Sequence, residues 1–235
     1  MQLLQQFSAE YNIPLNRTQL AQFERYQALL IEWNQRMNLT RIIEPQAIVV
    51  RHFLDSLTCQ SVTGDLNGQS LIDVGTGAGF PGLPLKILFP QLQLTLTDSV
   101  AKKTHFLQAV VDELKLTEVT VLAKRAETLG QDAAHREQYD WAVGRSVAHL
   151  RVLSEYLLPL AKVSGAMLAM KGGAAMKESA EAQNAITLLG GAHPTLTTVS
   201  LPERDTPHYL LLSRKVAPTP AKYPRRVGKP SKRPL

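Results

Sequence analysis

Hydrophobic residues recur at a helical spacing near the beginning of the chain. Residues 18–37, TQLAQFERYQALLIEWNQRM, place apolar side chains close to a period of 3.6 residues, which predicts an amphipathic helix packed on a core. Pro45 then opens a second helical stretch, IVVRHFLDSL. With the first few residues, these segments predict a helical cap over residues 1–60. The periodic positions of the first helix are Leu20, Phe23, Leu30, Trp33 and Met37.

From residue 70 onward, short apolar runs alternate with helical patterns. The runs SLIDVG, LQLTLTDS, VTVLAKR, DWAVGRS and SGAMLAMKG predict strands, and the segments between the first four are long enough for crossover helices. This alternation predicts an α/β fold with a parallel, doubly wound sheet over residues 61–215. Two further runs, PTLTTVSL and HYLLLSRK, are joined only by PERDTP, which predicts an antiparallel pair at the sheet edge.

The net charge of the protein is concentrated at its carboxyl end. The chain has 26 Lys and Arg against 20 Asp and Glu, but six of the cations fall in the last twenty residues, which contain no acid. Residues 1–215 are therefore formally neutral. We expect the basic, proline-rich residues 216–235 to form a flexible arm, which either keeps the protein soluble or binds the phosphates of a nucleic acid.

Composition excludes several classes of protein. A single cysteine, Cys59, forbids an internal disulfide, and the six histidines show no ligand spacing, so we predict no metal site. The sequence contains no apolar run of about 18 residues and no signal-peptide pattern. We expect a soluble, cytoplasmic protein that does not enter a membrane and is a monomer.

Four glycines follow the first predicted strand in LIDVGTGAGFPGLPLK, residues 71–86. A dinucleotide fingerprint, G-x-G-x-x-G, would need glycine where Phe80 stands, and a P-loop would need Lys and Ser or Thr after Gly82. The stretch instead matches D-x-G-x-G-x-G, and an acid, Asp98, ends the next strand. This pattern resembles the S-adenosylmethionine loop of class I methyltransferases. In such a loop the glycines let the backbone approach the cofactor, and Asp98 would accept hydrogen bonds from the ribose hydroxyls. The residues that match the pattern are Asp73, Gly75, Gly77 and Gly79.

The resemblance extends over nearly the whole chain. The blocks WNQRMNLT, VRHFLDSL, DVGTGAGFPGLPL, TDS followed by KK, RAE, GRSVAHL, MKGG and YPRRVGKPSKRPL together resemble the RsmG (GidB) family. That family methylates N7 of a guanosine in bacterial small-subunit (16S) ribosomal RNA. The resemblance implies S-adenosylmethionine as the cofactor and a Rossmann-like sheet with an antiparallel last strand. It implies that Gly75 and Phe80 line the cofactor loop, that Ala126 and Glu127 contact the adenine side, and that Arg145 lies where cofactor and substrate meet.

The end of the fourth predicted strand is informative about the reaction. Methyltransferases that act on exocyclic amines resemble one another in an Asn/Asp-Pro-Pro-aromatic motif there, whereas this chain has VGRS. N7 of guanine has a lone pair and no proton to remove, so the reaction needs no general base. We expect Arg145 to position the substrate, by contacting either the Hoogsteen edge of guanine, which presents acceptors, or a nearby phosphate. Methylation at carbon five of a pyrimidine would need a cysteine nucleophile, and we interpret Cys59 as a buried core residue.

Several cations are candidates for contact with RNA. Arg51, His52 and Asp55 share one helical face, which either forms a structural ion pair or roofs the pocket. Lys103 and Lys171 follow predicted strands at the carboxyl edge of the sheet, where they are either solvated or touch RNA, and we favour RNA contact. We expect Arg225 and Arg226 in the basic arm to bind phosphate. The partner would be ribosomal RNA or a ribosomal particle.

Other functions remain open at this stage. A nicotinamide-dependent oxidoreductase would use a similar sheet, although the displaced third glycine counts against it. A non-catalytic RNA-binding module would have no need of the whole Asp73-to-Asp98 pattern. A methyltransferase for another RNA or a small molecule is the remaining alternative, and the small-molecule version leaves the basic arm unexplained.

Overall fold

A seven-stranded sheet forms the centre of the molecule. The computed structural model describes residues 1–202 and 206–235. The strand order is β3-β2-β1-β4-β5-β7-β6; the first five strands pair in parallel, and β7 runs antiparallel to both β5 and β6. The predicted fold class and antiparallel edge are confirmed; of the connection PERDTP, residues 203–205 lie outside the described residues. The strands are β1 Ser70–Val74, β2 Gln93–Thr97, β3 Val119–Leu122, β4 Tyr139–Arg145, β5 Ala161–Lys171, β6 Thr195–Val199 and β7 His208–Arg214.

The helices begin where local chemistry favours a start. Asn16 caps α2 by accepting from the backbone N–H of Gln19, whose side chain accepts in return from the Asn16 N–H. Within the described parts of the chain, none of the helices combines the length and hydrophobicity needed to cross a bilayer. The helices are α1 Gln2–Glu10, α2 Arg17–Asn34, α3 Pro45–Ile48, α4 Asp55–Leu57, α5 Gln60–Thr63, α6 Gly82–Leu88, α7 Ala101–Glu113, α8 Ala126–Leu129, α9 Leu150–Leu157, α10 Ala175–Leu188 and α11 Lys229–Lys232.

The second predicted helical stretch is a composite. Glu44 caps α3, and a π-helical segment, Val49–Leu54, joins α3 to α4 without a break. Such π-helical turns are rare and often occur at functional sites. The 3.6-residue pattern predicted a helix here, but it carries no signal for the wider turn.

The sheet is covered on both faces, because successive strand residues point to opposite sides. Leu71 belongs to a core shared with the amino-terminal helices, α6 and α7, whereas Ile72 belongs to a second core shared with α8, α9 and α10. The helices of residues 1–60 therefore pack on the same face of the sheet as α6 and α7.

The last twenty residues pack against the body of the protein, unlike the flexible arm expected from their composition. Tyr223 is buried in the second core, and the Arg136 guanidinium donates to the carbonyls of Thr219 and Tyr223. Arg225 forms an ion pair with Glu155, which is buried in α9. The composition of the segment did not reveal this packing, because the buried acid and Arg136 lie far away in the sequence.

Candidate active site

The glycine-rich loop and Arg145 lie at the carboxyl edge of the sheet, where strand order reverses between β1 and β4. The loop follows β1, and Arg145 is the last residue of β4. Open α/β sheets bind ligands in the crevice at such a switch point. Two cavities open there.

The larger cavity has a volume of about 660 Å³ and the smaller about 100 Å³. Gly75 lines both, so a ligand that occupies the two cavities passes this residue. The larger cavity is also lined by residues of the π-helical segment and by Arg145, and the smaller by Asp98, Ala126 and Glu127.

Two loop glycines have backbone conformations that disfavour larger residues, and one of them, Gly75, also has no room for a side chain. Gly75 and Gly77 have φ angles of +67° and +61°, in the left-handed region. A Cβ on Gly75 would lie 2.9 Å from Val147 Cγ2, so the backbone can pass Val147 only without a side chain. A Cβ on Gly77 would meet no atom within 4 Å and would project into open space beside the larger cavity.

The Asp73 side chain links the two ends of the glycine-rich loop by hydrogen bonds. Its Oδ2 accepts from Thr76 Oγ1 at 2.7 Å and from the Gly82 N–H at 2.8 Å, which ties the start of the loop to the start of α6. Its Oδ1 is buried and has no hydrogen-bond partner among the described residues. Burial raises the pKa of this carboxyl to about 6, although the bonds from Thr76 and Gly82 favour its charged form.

Asp98 directly follows β2, one residue beyond the end of the strand, and lines the smaller cavity. Its Oδ2 accepts from the Gly77 N–H at 3.1 Å and lies 3.4 Å from Lys103 Nζ, while its Oδ1 accepts from the Val100 N–H. A carboxylate held this way at the mouth of a cavity is able to accept from the hydroxyls of a ribose. Most of the predicted cofactor residues thus line one crevice, and the Asp98 carboxylate and the partly exposed glycine backbone fit S-adenosylmethionine. Asp73 and Gly79 line neither cavity and are buried.

Ala126 and Glu127 begin α8, beside Asp98. Glu127 is buried, and its Oε1 accepts from the Gly228 N–H at 2.9 Å. The carboxyl-terminal segment therefore supports the wall of the smaller cavity, a link that the sequence did not reveal.

Arg145 is held by two residues of the π-helical segment and by Asp55, the first residue of α4. Its Nη1 donates to the Arg51 carbonyl at 3.1 Å and to Asp55 Oδ2 at 3.0 Å, and its Nη2 lies 3.1 Å from His52 Nδ1. Its guanidinium carbon lies 4.8 Å from the centroid of the Phe80 ring. A cation over an aromatic face is favourable, so Phe80 fixes the plane of the guanidinium.

His52 stacks on the same ring, with the ring centroids 4.4 Å apart. Burial, aided by the Arg145 charge, lowers the pKa of His52 to about 3. The imidazole is therefore neutral. Its Nδ1 lies 3.1 Å from both Arg145 Nη2 and the Arg51 carbonyl, and its Nε2 lies 2.9 Å from Thr40 Oγ1. His52 thus lies in the wall of the larger cavity and helps to hold Arg145 in position.

The other predicted RNA contacts lie in different environments. The exposed Arg51 lines the larger cavity, and Lys103 is partly exposed beside Asp98. Lys171 differs from the expectation of a free cation: its side chain is only 9% exposed, bonded to Glu178 at 2.6 Å and to the Ala148 carbonyl. Arg225 likewise forms an ion pair, with Glu155.

Arg226 is exposed, as are four other cations of the carboxyl-terminal segment. This segment is a fixed surface with a cluster of positive charge, because it packs on α8 and α9. We define the terminal basic surface as Lys222, Arg226, Lys229, Lys232 and Arg233.

Sequence reasoning missed His208, the first residue of β7. Its Nδ1 lies 2.6 Å from Asp55 Oδ1, across 153 positions of sequence. One signal was available: a strand antiparallel to β5 begins at the carboxyl edge of the sheet, so its first residue faces the crevice.

The described residues support neither metal binding nor catalysis by a cysteine nucleophile. Among the described residues, no cluster of His, Cys, Asp and Glu could hold a metal ion. Cys59 is fully buried, and burial raises the pKa of its thiol, so it is not poised as a nucleophile.

Solved structures share the fold at low sequence identity. A predicted O-methyltransferase from Agrobacterium tumefaciens superposes with a TM-score of 0.55 at 16% identity, covering 70% of this chain and 80% of that one. A 16S rRNA (adenine(1408)-N(1))-methyltransferase from Catenulisporales acidiphilia gives 0.53 at 16% identity, covering 70% and 91%. These likenesses show that the chain shares their fold.

Sequence relatives are much closer. The ribosomal RNA small subunit methyltransferase G of Alkaliphilus metalliredigens is 47% identical over 96% of this chain and 95% of its own length. The protein of the same name from Roseiflexus sp. is 49% identical over the full length of both chains. The family model described as rRNA small subunit methyltransferase G (GidB) matches residues 19–206. The chain therefore belongs to the GidB family of small-subunit ribosomal RNA methyltransferases.

Proposed function

We propose that the protein transfers the methyl group of S-adenosylmethionine to N7 of a guanosine in small-subunit ribosomal RNA. Membership of the GidB family supports ribosomal RNA as the substrate. The choice of N7 is supported by one observation: the larger cavity offers hydrogen-bond donors at the end of β4, and its described carboxylate, that of Asp55, is already bonded to Arg145 and His208.

The cofactor would span the two cavities. Asp98 would accept from the ribose hydroxyls, Ala126 and Glu127 would border the adenine, and the glycine-rich loop would hold the amino-acid part. When bound, S-adenosylmethionine would supply a methyl group on a positively charged sulfur. Gly77 has no side chain, so its backbone would be open to the cofactor.

Arg145 orients the guanine. An arginine has five N–H donors, and contacts with Arg51, Asp55 and His52 use three, which leaves the Nε–H and one Nη2–H without partners among the described residues. These donate to O6 of guanine and leave the lone pair of N7 free to attack. Holding N7 about 3 to 3.5 Å from the methyl carbon, in line with the sulfur, is the main catalytic contribution.

No general base takes part. N7 carries no proton, His52 is neutral with both ring nitrogens engaged, and Asp55 is bonded on both oxygens. A site of this kind suits a substrate atom that attacks through a free lone pair, and it is poorly suited to deprotonating an amine.

RNA docks across the mouth of the crevice. Arg51 at the larger cavity and the terminal basic surface supply the positive charge that draws the phosphate backbone to the crevice. Phosphate contacts of this kind position the RNA, and Arg145 reads the base.

The decisive experiment maps the product. The protein is incubated with methyl-labelled S-adenosylmethionine and unmodified 16S ribosomal RNA, either free or in small-subunit particles, and the labelled nucleotide is located by digestion and mass spectrometry. We expect one 7-methylguanosine. Label on an adenine, a pyrimidine or a ribose would overturn the proposed atom, and label on neither RNA nor particle would favour the alternative of another RNA or a small molecule.

A further inference from the structure

The residues that line the larger cavity, in the described part of the chain, carry more positive than negative charge. Among the described residues that line it, Arg51 and Arg145 carry guanidinium groups, and Asp55 provides the carboxylate. His52 adds no charge, because its pKa is about 3. A cation that enters this cavity beside Arg145 is therefore repelled unless Asp55 compensates for the arginine.

Asp55 is held in place by three parts of the fold. It follows the π-helical segment, its Oδ2 accepts from Arg145 Nη1 of β4 at 3.0 Å, and its Oδ1 accepts from His208 Nδ1 of β7 at 2.6 Å. Its side chain is only 2% exposed. Because a carboxylate only accepts hydrogen bonds, both partners donate, and the negative charge remains fixed next to the guanidinium.

The proposed reaction keeps one positive charge in this cavity throughout. The N7 lone pair forms the new bond to the methyl carbon, the carbon–sulfur bond breaks, and its electron pair stays on the sulfur. The charge thus passes from the sulfur to the imidazole ring of guanine, and no proton is released. Both the cofactor and the product base are cations, so a cavity with an uncompensated arginine would disfavour both.

We propose that Asp55, clamped between Arg145 and His208, is the counter-charge that allows the cavity to accept a cationic sulfonium beside Arg145. Asp55 is a positioning residue: its carboxylate holds the Arg145 guanidinium in place and compensates for its positive charge. The inference rests on the proposed cofactor.

The test compares S-adenosylmethionine with S-adenosylhomocysteine by titration calorimetry. The two ligands share adenosine, ammonium and carboxylate groups and differ by one methyl group and the sulfonium charge. The methyl contribution is the same in every variant, so a change of the affinity ratio between variants reports on the charge. In Asp55→Asn, which keeps the shape but loses the negative charge and one of the two accepted hydrogen bonds, we expect preference for the sulfonium to fall about tenfold, equivalent to about 1.4 kcal/mol. In Arg145→Met, which leaves Asp55 uncompensated, the preference should rise.

A matched control is available in Asp140. This residue, near the start of β4, forms an ion pair with Lys162 and accepts from Ser70 at the opposite edge of the sheet. Asp140→Asn makes the same chemical change and should leave the affinity ratio unaltered.

The outcomes separate the inference from the proposed function. Equal losses of both ligands in Asp55→Asn, or no rise of the ratio in Arg145→Met, would make Asp55 a structural residue and overturn the inference. If Asp55→Asn does not fold, the direction of the change in Arg145→Met decides alone. If the wild-type protein binds neither ligand, the proposed cofactor is wrong and the inference falls with it.

Discussion

The guanidinium of Arg225 donates to both carboxylate oxygens of Glu155, and the backbone N–H of Arg225 donates to the same group. Glu155 lies in α9 and is 0% exposed. This contact joins the carboxyl-terminal segment to the helix that covers the second core. This segment is rich in proline and cations, yet it is fixed in place because Arg225 pairs with the buried carboxylate of Glu155.

Arg225→Ala should strongly destabilise the protein. The substitution leaves the Glu155 carboxylate buried without its cation, which costs about 3 to 5 kcal/mol for pairs of this kind. The neighbouring Arg226 is exposed, so Arg226→Ala should change the free energy of unfolding by less than about 0.5 kcal/mol. Urea denaturation of the two variants gives the comparison, and equal midpoints would show that the ion pair adds nothing.

Gly77→Ala should weaken cofactor binding more than it weakens the fold. The φ angle of +61° makes the substitution cost about 1 to 2 kcal/mol of stability, and the new methyl group projects into open space beside the larger cavity. Gly68 has a φ angle of +75° and equally open surroundings, but it precedes β1 at the other edge of the sheet.

Gly68→Ala is therefore a control for backbone strain alone. We expect calorimetry to show a loss of at least about tenfold in S-adenosylmethionine affinity, about 1.4 kcal/mol, for Gly77→Ala and no loss for Gly68→Ala. Similar affinities in the two variants would place the ligand away from Gly77.

Neutralising the terminal basic surface should reduce the salt dependence of RNA binding. Its five residues are exposed, and each phosphate neutralised on a single strand contributes about 0.7 to the slope of log affinity against log salt, so the slope should flatten by at most about 3.5. Substitution by glutamine is preferable to deletion, which would also remove Arg225 and expose Glu155.

Lys115→Gln is the control for this comparison, because Lys115 is exposed just after α7, at the amino edge of the sheet. It should leave the slope unchanged. If the fivefold variant retains the wild-type slope, the terminal basic surface does not touch phosphate and serves solubility alone.

His52 should make the protein less stable in acid. Burial lowers its pKa to about 3, below the ordinary value of 6.5, so between these values the unfolded chain binds a proton that the native state does not. Stability contributed in this way is present above pH 6.5 and is lost as the pH falls towards 3, by at most about 1.4 kcal/mol per pH unit.

The measurement is the free energy of unfolding from pH 7 to pH 4 for wild type, His52→Gln and His105→Gln. The first variant should have a shallower dependence on pH than wild type. His105 is exposed on α7, and its variant should follow the wild-type curve. A wild-type slope retained in His52→Gln would assign the acid sensitivity to other groups.

The parallel sheet with its antiparallel edge and the place of the cofactor loop could be predicted from the sequence. Apolar runs separated by helical patterns fix a parallel sheet, because parallel strands need long crossovers. The loop from Asp73 to Gly79 and the acid Asp98 are local signals, since they depend on strand ends and on backbone conformations that glycine adopts. These determine the crevice without knowledge of any long-range contact.

The tertiary structure decided which charges are free and which are paired. Arg145, Asp55 and His208 come from β4, α4 and β7, and no spacing in the sequence relates them. Lys171 and Arg225 look like free cations in the sequence, yet Lys171 is paired with Glu178 of α10 and Arg225 with Glu155 of α9. Local sequence sets backbone conformation through interactions among neighbouring residues. Ion pairing is decided when the folded chain buries an acid and must bring a distant cation to it, because an unpaired charge is too costly to remove from water.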